Sequence, residues 1–100
     1  AKWGVDIIFY ICYNIIIELI RAKMFVDGFL TETLNSHEAE ISYMDKLGFP
    51  NADIIFMNEI RYYRNSIKYY GKILDMEYAK KVLKFTERIL PILKDFLRRI

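Results

Sequence analysis

Three cations, Arg61, Arg64 and Lys68, stand three and four residues apart, and Asn65 and Tyr69 lie beside them, four residues from one another. On a helix that turns roughly 100° per residue, such spacing stacks side chains along one surface. The residue types suit a phosphate-bearing ligand. Arginine offers a two-pronged donor to phosphate oxygens, asparagine both donates and accepts, and a tyrosine ring can stack on a base. Arg61, Arg64, Asn65, Lys68 and Tyr69 are therefore the candidate ligand- or nucleic-acid-binding residues. The plain alternative is a solvated helix face, which three cations by themselves do not exclude. On the same wheel Phe56, Ile60, Tyr63, Ile67 and Tyr70 form the expected core face. Asn58, Arg61, Arg64, Asn65, Lys68 and Tyr69 form the expected outward face, with Tyr62 at its edge and Lys72 beyond it if the helix passes Gly71.

Little other chemistry is encoded. There is no Gly-rich phosphate loop, no His-Glu zinc motif and no nucleophile with a matching base. One histidine, His37, and one cysteine, Cys12, exclude a His-rich metal site, an intrachain disulfide and a cysteine zinc site. No cofactor and no metal are expected. Cys12 lies in an apolar run and reads as a small buried hydrophobe. Glu38 and Glu40 are two apart, hence on different sides of a helix, and Glu77 with Lys81 reads as an ordinary surface pair. His37 is expected as an exposed first-turn residue behind a Ser36 cap. The alternative is that it reaches the Arg64 site from its own short helix.

The segment Tyr63-Arg64-Asn65-Ser66-Ile67-Lys68-Tyr69-Tyr70-Gly71 resembles the HEPN family, the higher-eukaryote and prokaryote nucleotide-binding domains, and looks like its archaeal members. The family signature is an Arg, often followed by Asn, with a His some four to six residues on. Ser36-His37-Glu38-Ala39 and the apolar helix ahead of it also sit where such proteins have similar segments. The resemblance covers most of the chain. It implies a bundle that dimerises with its motif helices facing each other, and a metal-independent ribonuclease site or a binding site at the motif. It also implies pairing in some members with a minimal nucleotidyltransferase, as toxin and antitoxin, in which a tyrosine beside the motif (here Tyr69 or Tyr70) is modified. The family usually has one more helix ahead of the first one read here, so its bundle is either truncated or completed in another way.

The chain departs from the signature where Tyr69 stands in place of the histidine. Bringing a tyrosine from about pKa 10 to neutrality takes roughly 4 kcal/mol of differential stabilisation, which a wet surface site rarely supplies. Three readings follow. The first is a binding module contacting nucleotide, RNA or a partner nucleotidyltransferase. The second is a metal-independent ribonuclease toxin using Arg64 and Tyr69. The third is a purely structural dimer with Arg64 and Asn65 bonded across the interface.

These residues need a helix to hold them. Residues 1–100 read as a single all-α domain, an antiparallel bundle of three long helices and one short. The first helix is expected over Lys2–Val26, with Asn14, Glu18 and Arg21 on one polar stripe and Asp27-Gly28 ending it. Phe29–Asn35 reads as a loop. A short helix over His37–Leu47 closes at Gly48, a third runs over Ala52–Tyr70 to Gly71, and Asp75 caps a fourth that continues to the C-terminus. Its seam is expected to be Tyr78, Val82, Phe85, Ile89, Ile92 and Phe96, with a kink near Glu87 caused by Pro91.

A hydrophobic fraction of 54% is high and suggests apolar surface buried against a second copy; the plain alternative is a fully enclosed central helix with no partner. A net charge of +2 is too mild to argue for nucleic acid. Val5–Ile20 is interrupted by Asp6, Asn14 and Glu18 and is too short to span a bilayer, so a cytoplasmic protein without membrane contact is expected.

Overall fold

The apolar run from Val5 folds into α1 (Val5–Val26), followed by α2 (Glu38–Lys46), α3 (Asn51–Tyr70) and α4 (Met76–Arg98). The computed structural model describes residues 4–29, 37–70 and 75–99; of residue 5 and residues 67–70 only the helical backbone is described. Among the described residues there is no strand, and the architecture is an all-α bundle of three long helices and one short. The expected loop over 30–35, the Ser36 cap and the Gly71 stop lie outside the described residues. No described helix is long and apolar enough to cross a membrane.

The helix ends follow the backbone chemistry of their residues. Gly28 (φ 91°) and Gly48 (φ 89°) both adopt the left-handed conformation that side chains disfavour. After each, the chain doubles back in the same way. Phe29 N–H donates to Met24 C=O at 2.8 Å and Phe49 N–H to Met44 C=O at 3.1 Å. Gly28 and Gly48 N–H donate to Phe25 and Asp45 C=O at 3.1 Å each, so both helices end in the same paired-bond motif. Asp75 caps α4 as expected, its side chain accepting from Tyr78 N–H at 2.8 Å. His37 is the residue before α2 rather than its first helical residue, and its C=O accepts from Ile41 N–H at 3.1 Å.

Helix α1 packs against each of the other three helices. It buries Phe9, Cys12, Tyr13, Ile16, Ile17, Ile20 and Met24, a stripe at the three- and four-residue spacing of one helix face. Its opposite side is not all polar: Ile7, Ile11 and Ile15, four residues apart, are exposed beside Asn14 and Glu18. Around the buried stripe close Ile41, Tyr43 and Met44 from α2, Met57 and Ile60 from α3, and Val82, Phe85, Ile89 and Leu93 from α4. The Tyr43 hydroxyl donates to Asp27, tying the end of α1 to α2.

The seam of α4 differs in detail from the expected one. Ala79, Val82, Phe85, Thr86, Ile89 and Leu93 are buried, whereas Ile92 is exposed and Tyr78 and Phe96 only border the core. Small and hydroxyl residues fill this line because Ala79 needs little room and Thr86 returns its hydroxyl to Val82 C=O at 2.8 Å. The helix runs on through Pro91.

The largest correction concerns the roll of α3. Its buried residues, among the described side chains, are Asp53, Met57, Ile60 and Ser66, with Phe56 and Tyr63 only flanking the core. At roughly 100° per residue, Asp53, Met57, Ile60 and Arg64 fall within a stripe about 60° wide. The helix is thus turned so that Arg64, expected to face outward, lies on the inward line. Polar residues occupy that line because each meets a partner there. Asp53 receives Arg88 through two hydrogen bonds, 2.6 and 3.2 Å long, and Arg64 meets aromatic rings of α1.

The Asp53–Arg88 pair gives a first test of this packing. Asp53 is 6% exposed, so removing Arg88 leaves a carboxylate out of reach of full hydration. Arg88→Ala is expected to lower the unfolding free energy by about 1–2 kcal/mol, moderated by the exposure of the arginine. Urea denaturation with an unchanged midpoint would contradict it.

Candidate functional site

Tyrosines 10 and 13 lie one turn apart on α1 and present their rings toward α3. Tyr13 is wholly buried, and burial is the main reason its phenol is held well above its ordinary pKa; the Arg64 charge offsets this only in part. The hydroxyl therefore stays protonated. It lies 2.8 Å from His37 Nδ1, and the two ring centroids are 5.3 Å apart. The Arg64 guanidinium sits 5.6 Å from the Tyr13 ring centroid and 5.9 Å from that of Tyr10. Cations over aromatic rings are stabilised by the ring quadrupole, more so where water is excluded.

Three elements thus converge: α1 supplies the aromatic floor, the start of α2 supplies His37, and α3 supplies Arg64. His37 is half-buried rather than exposed, which corrects the expectation of a solvated first-turn residue. Burial pushes its pKa below the ordinary value, and the Arg64 charge pushes it further in the same direction, against the opposing pull of Glu40. Both effects favour the uncharged imidazole at neutral pH. Where Nδ1 carries the proton it donates to the Tyr13 hydroxyl oxygen, and Nε2 keeps a free lone pair.

The charges around the cluster are unevenly matched. Arg21 bonds the buried Glu40 at 3.3 Å and Glu18 at 2.9 Å. Arg61 approaches Glu38 at 3.6 Å. Arg64 has no carboxylate partner among the described residues, and its Nε is buried without a hydrogen-bond partner, as is that of Arg61. A half-buried cation with a desolvated, unused donor is costly unless something completes it.

Among the residues singled out from sequence, Arg64 is brought beside His37 and Arg61 meets Glu38 at the start of the same short helix, while Asn65 is half-buried one residue on from Arg64. Asn58 and Tyr62 are exposed on the outward face with Ile55. The side chains of Lys68, Tyr69 and Tyr70, and all of Lys72, lie outside the described residues. Tyr10, Tyr13, Arg21 and Glu40 were not singled out as site residues. Two tyrosines three apart inside a mostly apolar run were the available signal, since a buried phenol needs a polar partner. No described group of His, Cys, Asp and Glu could hold a metal ion.

No protein-family model, curated protein or solved structure matches this chain.

Proposed function

We propose that the chain is a cytoplasmic HEPN-like module that binds the phosphate of a nucleotide or short RNA at Arg64, flanked by Arg61 and His37. One observation carries this reading. Arg64 is half-buried with no carboxylate partner among the described residues, its buried Nε has no hydrogen-bond partner there, and an imidazole whose protonation is disfavoured stands beside it. A phosphate would supply the missing acceptor. The histidine that the resembling signature carries on the motif helix is here offered by His37, from the start of α2.

The module would act as a homodimer with the α3 helices facing each other. Ile55 and Tyr62 support this, being 59% and 61% exposed on the outward side of α3. Asn65 would then border the interface, and a minimal nucleotidyltransferase that modifies Tyr69 or Tyr70 would be a further partner.

Fluorescence titration with a labelled short RNA and with ATP, in EDTA and at low salt, tests the binding role. Arg64→Ala should weaken both, and sedimentation of the same variant should leave the oligomeric state alone. Unchanged affinity, or loss of the dimer with ligand binding intact, would favour a structural role for Arg64.

A second reading, metal-independent RNA cleavage, is favoured by His37 alone. Its neutral Nε2 could take the proton of a ribose 2′-hydroxyl as that oxygen attacks the adjacent phosphorus, closing a 2′,3′-cyclic phosphate, while the departing 5′-oxygen takes a proton from water and Arg64 holds the phosphate. Incubation of the same RNA should then give products that His37→Ala abolishes; intact RNA after long incubation with excess protein removes this reading.

A further inference from the structure

Lys81, Lys84 and Arg88 recur every three and four residues along α4 and line one wall of a surface cavity of about 470 Å³. Asp53 and Phe56 of α3 form the facing wall, and Phe85 completes the floor. None of these residues belongs to the Arg64 cluster. The volume lies within the roughly 300–1,000 Å³ typical of small-molecule sites.

The floor is aromatic. Phe56 and Phe85 pack edge to face with centroids 4.7 Å apart. Lys81 Nζ lies 5.1 Å from the Phe56 centroid, and the Arg88 guanidinium lies 5.4 Å from that of Phe85. The charges are not balanced. Asp53 is committed to Arg88. Glu77, expected from sequence to pair with Lys81, instead approaches Lys80 at 3.8 Å. Among the described residues neither Lys81 nor Lys84 has an ion pair, although both are exposed at the same rim. The same two lysines also line a neighbouring depression with Glu77 and Lys80, so they stand where the two hollows meet.

We infer that this cavity is a second ligand site, built for a phosphate monoester with a flat aromatic body. Two uncompensated ammonium groups match the dianion that a phosphate monoester carries at neutral pH, its second pKa being about 6. A carboxylate would neutralise only one of them. Buried Asp53 repels an anion from the Arg88 end, so the phosphate belongs at Lys81 and Lys84. The ring then lies inward over Phe56 and Phe85, displacing the lysine stems to the rim. Lysine serves here as a mobile point charge rather than a rigid fork, as fits an open and partly hydrated site.

Phenyl phosphate is the direct probe, followed by amide chemical shifts at low ionic strength with inorganic phosphate and phenol as partial ligands. Saturable shifts are expected along residues 81–88 and 53–56. Phenyl phosphate should bind at least about tenfold more tightly than either fragment, and the Lys81→Ala/Lys84→Ala double variant should weaken it by about tenfold or more. Both lysines are exposed, so the double variant keeps the fold, which its own amide spectrum verifies. Binding should also weaken near pH 5, where the phosphate holds a second proton. Absence of saturable shifts, equal affinity in the double variant, or shifts confined to the surroundings of Arg64 and His37 would each overturn the assignment.

Discussion

Replacing Tyr13 by alanine is expected to remove roughly 3–5 kcal/mol of stability, the range for truncating a large buried aromatic side chain. Tyr13 is 0% exposed and stands where α1, α3 and the start of α2 meet. Alanine would leave a cavity under Arg64 and remove the ring on which the guanidinium rests. For a domain of about this size total stability is only some 5–15 kcal/mol, so a large share would be lost and the melting temperature would fall by more than about 12 °C. Tyr13→Phe separates packing from chemistry. It keeps the ring and removes only the hydroxyl facing His37, for which about 1 kcal/mol is expected. Denaturant unfolding of the two variants checks this, and similar losses in both would mean that the ring does not carry the contact.

Arg64→Ala should have the largest effect on ligand binding. Hydrogen bonds to charged groups contribute about 1.5–3 kcal/mol each, so losing the phosphate contact should weaken short-RNA binding by roughly 10–150-fold. Stability should change far less, because Arg64 has no ion pair to lose among the described residues and its wild-type Nε is already unsatisfied. Arg64→Lys is a sharper probe. It keeps the charge but removes the planar donor, and an intermediate affinity is expected. The dependence of affinity on salt should flatten in Arg64→Ala, since one phosphate contact fewer releases fewer counterions.

Much of the fold was legible in the sequence because the signals were local. Gly28 and Gly48 stop helices through their own backbone freedom, and Asp75 caps through a bond to Tyr78 three residues away. What the sequence could not decide was the roll of α3. Apolar periodicity alone put Phe56 and Tyr63 at its centre and Arg64 outside. The helix instead turns Asp53 and Arg64 inward, because Arg88 lies 35 residues from Asp53 and the Tyr13 ring lies across the bundle from Arg64. Such partners are fixed by packing, not spacing.

The site was legible in the same uneven way. Arg61 and Arg64 were visible as a cation pattern, and His37 was visible as the one histidine. Their meeting was not, since it passes through Tyr13, 24 residues before His37. The Glu77–Lys81 pair failed for a related reason. Either lysine of Lys80-Lys81 can reach Glu77, and Lys81 is drawn to the Phe56 ring on the neighbouring helix.

With one histidine in the chain, the imidazole C2 proton gives a single resonance to follow against pH. The protonated form is disfavoured in the folded state by burial and by Arg64, so the midpoint should fall below the ordinary value of about 6.5. By linkage, the unfolded chain then binds a proton more readily than the folded one. Stability contributed by neutral His37 is present above about pH 6.5 and declines as pH falls through the folded midpoint. In Arg64→Gln the midpoint should rise toward the ordinary value, and in wild-type protein saturated with short RNA it should rise as well, drawn up by the phosphate. A wild-type midpoint at the ordinary value, unmoved by either change, would contradict the meeting of His37 and Arg64 on Tyr13.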